Sequence, residues 1–258
     1  MVAIDKALLE CSRRVFLETP FDLLTDKIVL DMLRTSPPER AFRYVVTPNV
    51  DYVVRLRTDS DLRHYVRDAW LSVCDSRPIC LLARMLFIKL PLVTGSDLTI
   101  ELFRSVIEAG DRITLVAPNS DVVERLRSSF PHVDLRAIVP PAGLRDNPEA
   151  MKACVDFVAA QSSRFVFLAV GSPQSDVIAH QLAHHPQACG IGLSIGASLE
   201  FLVGTKRRAP RWVQRMGLEW LHRLLSEPRR LWRRYAYSVV PLVKLFSHEV
   251  VARPFRHG

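Results

Sequence analysis

Five short apolar runs, most of them rich in β-branched residues, punctuate this chain at 44–47, 113–117, 137–139, 165–170 and 190–195. Each is too brief for a stable helix and suits a pleated, buried surface, so each reads as a strand. Other segments carry apolar residues at helical spacing: 62–71, 98–109, 122–130, 148–160 and 175–183. Strands alternating with helices leave few topologies, because parallel strands need long crossovers and the helices must cover the sheet. The expected fold is α/β, with a Rossmann-like parallel-sheet core and helices on both faces.

Ligands of such sheets bind beyond the carboxyl ends of the strands. Polar residues follow three of the runs directly: Thr47-Pro48-Asn49, Gly171-Ser172-Pro173-Gln174 and Gly196-Ala197-Ser198. Thr47 and Asn49 offer a hydroxyl and an amide to a sugar, although turn and capping roles explain Asn49 and Asp51 equally well. The Gly171 to Gln174 turn joins a strand to a helix and leaves backbone amides for an anion, without the GxGxxG pattern of a dinucleotide site. Asp75 follows an apolar stretch and precedes a helical one. It reads either as a helix N-cap or as a general base at the mouth of the sheet. Asp59-Ser60-Asp61 satisfies a DxD pattern, but it precedes a helix, where acidic residues cap amides and favour the dipole.

The charge lies at the other end. Residues 206–235 hold ten Lys or Arg against Glu219 and Glu227, an excess equal to the net +8 of the whole chain. A polyanion is the expected partner: phosphate, a membrane headgroup or nucleic acid. Trp212, Met216, Trp220 and Leu224 advance by four, as on one helical face, and Pro228 ends or kinks that helix before a second one at 229–240. The expected division is an α/β core at 1–204 and a helical appendage at 205–258. Arg223, Arg230 and Arg233 in that appendage carry guanidinium forks suited to a diphosphate. The five scattered cysteines form no CxxC pair and no His-containing ligand spacing, which fits a reducing cytosol. Neither a signal-peptide core nor an apolar stretch of about 18 residues is present, so no membrane crossing is expected.

Together these residues resemble the WecG/TagA/CpsF family of bacterial glycosyltransferases, glycosyltransferase family 26, from about 44 to 235. Thr47-Pro48-Asn49-Val50-Asp51 is similar to its TPN block, Asp75 to the Asp of its DG block, and Val93-Thr94-Gly95-Ser96-Asp97-Leu98 to its VTGSDL block. Gly171-Ser172-Pro173-Gln174 resembles its G-x-P turn. Arg208-Ala209-Pro210-Arg211-Trp212, Gly217-Leu218-Glu219-Trp220-Leu221-His222-Arg223-Leu224 and Glu227-Pro228-Arg229-Arg230-Leu231 resemble its C-terminal blocks.

The resemblance implies an inverting transfer of a sugar from a UDP donor to a polyprenyl-diphosphate-linked saccharide, at the cytoplasmic face of the membrane and without a bound metal or other cofactor. UDP-glucose, UDP-N-acetylmannosamine and its uronic acid are the implied donors, and exopolysaccharide or another envelope glycan the product. Asp75 would be the general base, with Thr47 and Asn49 in the pocket. Asp97 and the turn Gly171, Ser172, Pro173 and Gln174 would contact substrate, and Arg223, Arg230 and Arg233 would close over the donor diphosphate. The chain departs from the family pattern at Ser76, at Leu92, where a pocket arginine is missing, at Gln174-Ser175-Asp176 and at Glu200. These departures leave a catalytically degenerate, membrane-associated scaffold as the alternative. A nucleic-acid binder using the basic tail is the lesser alternative, since the tail tryptophans follow helical spacing and no nucleic-acid motif is present; nucleic acid is not an expected partner.

Overall fold

The computed structural model describes residues 12–37, 41–206, 209–210, 213 and 228–252, the last helix by backbone alone over 228–236 and at 252. Its centre is a six-stranded, wholly parallel sheet in the order β4-β3-β8-β7-β5-β6. The strands are β3 (Arg43–Val46), β4 (Leu71–Ser72), β5 (Arg112–Val116), β6 (Asp134–Ile138), β7 (Phe165–Leu168) and β8 (Ile191–Ser194). A short antiparallel hairpin, β1 (Arg13–Phe16) and β2 (Thr19–Asp22), precedes them.

Strand periodicity explains the layering. Val45, Leu115, Phe165, Phe167 and Leu193 point to one face and enter a cluster with α1 (Asp26–Arg34), α5 (Gly95–Ser105) and α6 (Ser120–Ser129). Their neighbours Tyr44, Val46, Val116, Val166 and Leu168 enter a second cluster with α2 (Val50–Arg55), α3 (Ser60–Asp68), α7 (Pro148–Ala159) and α8 (Gln174–Ala183). Both faces of the sheet are covered, which is why the strands read as continuous apolar runs. Each such side chain contributes about 1.5–3 kcal/mol on burial.

A third cluster joins Phe16, Leu17 and Phe21 of the hairpin to Ile79 and Ala83 of α4 (Arg77–Met85) and to Leu245 of the last helix, α10 (Pro228–Ala252). That helix is longer than the one expected at 229–240, and Pro241 lies inside it. Proline forfeits one backbone bond there, but Leu242, Leu245 and Phe246 of the next turns pack on the core. The segment expected to be helical around 212–224 lies outside the described residues apart from Val213.

Two further differences concern the N-terminal half. The helix expected over 62–71 ends at Asp68, and Leu71 opens β4. The hairpin was not foreseen; Asp22 anchors it, taking two bonds from the Arg13 guanidinium at 2.8 Å and one from the Ser72 amide at 2.7 Å.

Candidate active site

Neighbouring strands β3 and β4 run in register, with Val46 opposite Ser72, so their carboxyl-terminal loops emerge side by side. The Asp75 amide donates to the Pro48 carbonyl at 3.1 Å, and the Val93 amide to the Cys74 carbonyl at 2.9 Å. The second bond brings the start of α5 against Asp75, whose Oδ2 accepts from the Gly95 amide at 3.4 Å. A Cβ on Gly95 would stand 3.3 Å from Ser198 Oγ and 3.4 Å from Thr47 Oγ1. Glycine is therefore what lets a carboxylate, two hydroxyls and a helix N-terminus meet. Ser198 begins α9 (Ser198–Leu202), and its Oγ lies 3.4 Å from Ser96 Oγ. Thr47 Oγ1 donates to the Ser194 carbonyl at the end of β8, at 3.3 Å.

This arrangement holds a proton acceptor beside groups that hydrogen-bond hydroxyls, and the amides at the α5 terminus favour a negative charge nearby. Capping of α4 falls to Ser76, whose Oγ accepts from the Ile79 amide at 3.4 Å, and not to Asp75. Asn49 does cap its helix, accepting from the Tyr52 amide at 3.2 Å. Asp97 closes a local cap: Thr94 Oγ1 donates to its Oδ2 at 2.6 Å and accepts from its amide at 3.0 Å. Asp59 caps α3 through the Leu62 amide at 2.9 Å, as its position before a helix predicts.

The turn from Gly171 to Gln174 lies at the end of β7, with Gly171 at φ 81° and a cis Ser172–Pro173 bond. Arg55 of α2 reaches it, donating to the Ser172 carbonyl and Oγ. Gln174 and Pro173 line a cleft of about 560 Å³ with Asp59, Asp61, Tyr65 and Arg145, on the α3, α7 and α8 side of the sheet. Beneath the turn, Asp176 is completely buried, and burial pushes its carboxyl up to about 6. Near Asp75, the sulfurs of Cys74 and Cys80 stand 3.6 Å apart. The hydrogen bond between them lowers the Cys80 thiol, whereas burial raises that of Cys74.

A model of the Glycosyl transferase WecG/TagA/CpsF family matches residues 14–255. The chain belongs to this family. It is 32% identical over 142 residues to the N-acetylglucosaminyldiphosphoundecaprenol N-acetyl-beta-D-mannosaminyltransferase of Bacillus spizizenii. That alignment covers 54% of this chain and 52% of the relative, so the chain spans about half the length of the curated protein it matches.

Two departures from the WecG/TagA/CpsF pattern have local explanations. Ser76 replaces a glycine and caps α4, while Glu200 pairs with Lys206 at 2.8 Å. Thr47 and Asp75 both lie beside Gly95. Of the expected arginines, Arg223 lies outside the described residues, and only the backbone of Arg230 and Arg233 is described, within α10. Sequence reasoning did not single out Arg55, and it met Asp176 only within the departure at Gln174-Ser175-Asp176.

Proposed function

We propose that this chain is an inverting glycosyltransferase that moves a sugar from a UDP-sugar to a polyprenyl-diphosphate-linked saccharide in the assembly of an exopolysaccharide or another envelope glycan. The observation that carries this reading is the meeting of Asp75, Thr47, Gly95 and Ser198 at the carboxyl edge of the sheet in a member of this family. In the proposed reaction the Asp75 carboxylate takes the proton of the acceptor hydroxyl. The freed oxygen attacks the anomeric carbon, and the bond from that carbon to the diphosphate breaks, UDP leaving with the electron pair. Attack opposite the leaving group inverts the anomeric centre.

Thr47 and Asn49 are assigned to the sugar pocket, and Asp97 and the turn Gly171, Ser172, Pro173 and Gln174 to substrate contacts. Arg223, Arg230 and Arg233 are assigned to the diphosphate, whose developing charge guanidiniums stabilise. The relative named above acts, by its name, on an N-acetylglucosaminyl diphosphoundecaprenol acceptor, which supports a lipid-linked acceptor here.

A membrane-peripheral location, with the core at 1–204 and the appendage at 205–258, follows from the same reading. Among the described residues no helix is long and apolar enough to cross a membrane. Yet α10 leaves Tyr237, Val240, Val243 and Val251 exposed, and Leu81, Met85 and Phe87 are exposed on α4 and just beyond it. These two helices share the third cluster, and apolar side chains beside a basic segment suit an anionic lipid surface.

The test is UDP release and product formation with a panel of UDP-sugars and a synthetic polyprenyl-diphosphate N-acetylglucosamine. An extended lipid product that disappears with Asp75→Asn is expected. Full turnover by a folded Asp75→Asn protein overturns the assignment of the base, and no turnover with any donor favours the scaffold.

A further inference from the structure

Three metal-ligating side chains meet at the ends of α3 and α8 remote from the carboxyl edge of the sheet. His180 and His184 stand four residues apart, hence on one face of α8 and the turn that follows it. Asp68, the last residue of α3, faces them: its Oδ2 is 3.0 Å from His180 Nε2. The rings of His180 and His184 are 4.5 Å apart between centroids, and one ligand atom from each of the three residues lies within 4.8 Å of the others.

Two features of the surroundings point to a cation. His184 Nδ1 lies 2.8 Å from the His180 carbonyl oxygen. A carbonyl only accepts, so Nδ1 carries the proton and, in the neutral ring, Nε2 keeps the lone pair. A backbone carbonyl holding one ring nitrogen while the other binds is the way proteins orient metal-ligating imidazoles. The second feature is the field. The α3 helix ends at Asp68 and α8 ends at Ala183, so the negative ends of two helix dipoles converge on the cluster. The Tyr65 ring, 4.8 Å from that of His180 between centroids, closes one side.

We propose that Asp68, His180 and His184 bind one late first-row divalent cation, of the Zn2+ or Ni2+ type, with water completing the coordination shell. Two imidazoles and one carboxylate match the ligand preference of these ions and not that of Mg2+ or Ca2+, which take oxygen. Bonds of about 2.0–2.2 Å require the ligand atoms to draw together by small rotations, which the exposure of Asp68 and His184 allows. The ion would tie α3 to α8. Since α8 begins at the Gly171 to Gln174 turn, the site clamps the helix that carries the turn from about 15 Å away, a ten-residue helix length. Its role is structural, and it takes no part in the transfer chemistry.

The experiment uses the full chain free of any affinity tag. Zn2+ binding is measured by competition with a chromogenic chelator, and thermal unfolding is followed with Zn2+, Ni2+ or Mg2+. One Zn2+ per chain is expected, with a rise in Tm for Zn2+ and Ni2+ and none for Mg2+. His184→Ala and Asp68→Asn, both at exposed positions, should each weaken binding by at least about tenfold. His132→Ala, on the opposite face of the sheet beside Phe130, should leave it unchanged. Absence of binding, or equal affinity in the wild type and both site variants, overturns the proposal. Binding abolished by His132→Ala does so too.

Discussion

Arg55 grips Ser172 across 117 residues of sequence, Nη1 donating to its carbonyl at 3.2 Å and Nη2 to its Oγ at 2.9 Å. Arg55 closes α2, the helix that grows out of Thr47-Pro48-Asn49, and Ser172 lies in the turn before α8. Two segments assigned to the site are thereby one mechanical unit. Arg55→Ala is expected to cost about 1.5–3 kcal/mol, the range for hydrogen bonds to a charged group, seen as a lower urea midpoint. It should also lower kcat/KM for the UDP-sugar by about tenfold or more, since small misplacements of binding groups are costly. Ser172→Ala removes one of the two bonds and should cost about 1 kcal/mol. An unchanged kcat/KM in a measurably destabilised Arg55→Ala protein would separate this contact from the site.

Gly95 gives a sharper probe of the cluster around Asp75. Its backbone is compatible with alanine, and the atoms an added methyl would crowd are side-chain atoms of Ser198 and Thr47 at 3.3 and 3.4 Å. Those side chains give way by a few tenths of an ångström, so the fold survives. The hydroxyls that share Gly95 with Asp75 are the groups displaced. Gly95→Ala is therefore expected to lose at most about 1–3 kcal/mol of stability, the cost of mild overpacking, while transfer falls by about a hundredfold. Stability from urea denaturation and turnover on the same preparation decide it. A variant as active as the wild type removes this cluster from the chemistry.

The exposed apolar residues make a separable prediction about lipid. Phe87 is 96% exposed and Met85 65% exposed, so neither supports the core. The double replacement Phe87→Ser and Met85→Ser is expected to weaken co-sedimentation with anionic vesicles severalfold. UDP release with a water-soluble acceptor should be unaffected. Unchanged vesicle binding would assign membrane contact elsewhere in the chain.

The parts of this fold that were legible in sequence are those governed by local pattern. Strands buried on both faces, such as Phe165–Leu168, announce themselves as apolar runs, and Thr47 stands where a strand must end. The hairpin was hidden because its two-residue turn uses Leu17 and Glu18, at φ 52° and 58°, where Asn-Gly is the usual signal. Strand β4 has only two residues, and helical spacing running through Leu62 and Val66 absorbed it. Within the site, Asp75 had two readings, and the structure gives the cap of α4 to Ser76. Contacts between Arg55 and Ser172, or between Asp68 and His180, 112 residues apart, leave no trace in spacing. The i, i+4 pair of His180 and His184 was not singled out as a ligand spacing, and its third member comes from another helix.

Asp176 combines burial with charge and so links stability to pH. The residue is fully buried, and neither carboxyl oxygen has a partner at hydrogen-bond geometry. Burial drives its pKa from 3.8 to about 6; the hydroxyls of Ser172 and Tyr52, and then the Arg55 charge, hold it from going higher. A carboxyl that holds its proton more tightly folded than unfolded makes the fold less stable once ionised. The penalty is nearly complete at and above about pH 6, shrinks as pH falls from about 6 through about 4, and is gone near pH ~3, where both states are protonated. A shift of about two units corresponds to ~3 kcal/mol. Asp176→Asn keeps the shape without the charge. Relative to the wild type it should gain stability at about pH 7.5, gain roughly a third as much at about pH 4.5, and show little difference at about pH 3. Urea denaturation of both proteins at these three pH values isolates Asp176 from every other titrating group. A constant difference across the series would mean that its carboxylate is solvated in the fold, against the burial that raises its pKa.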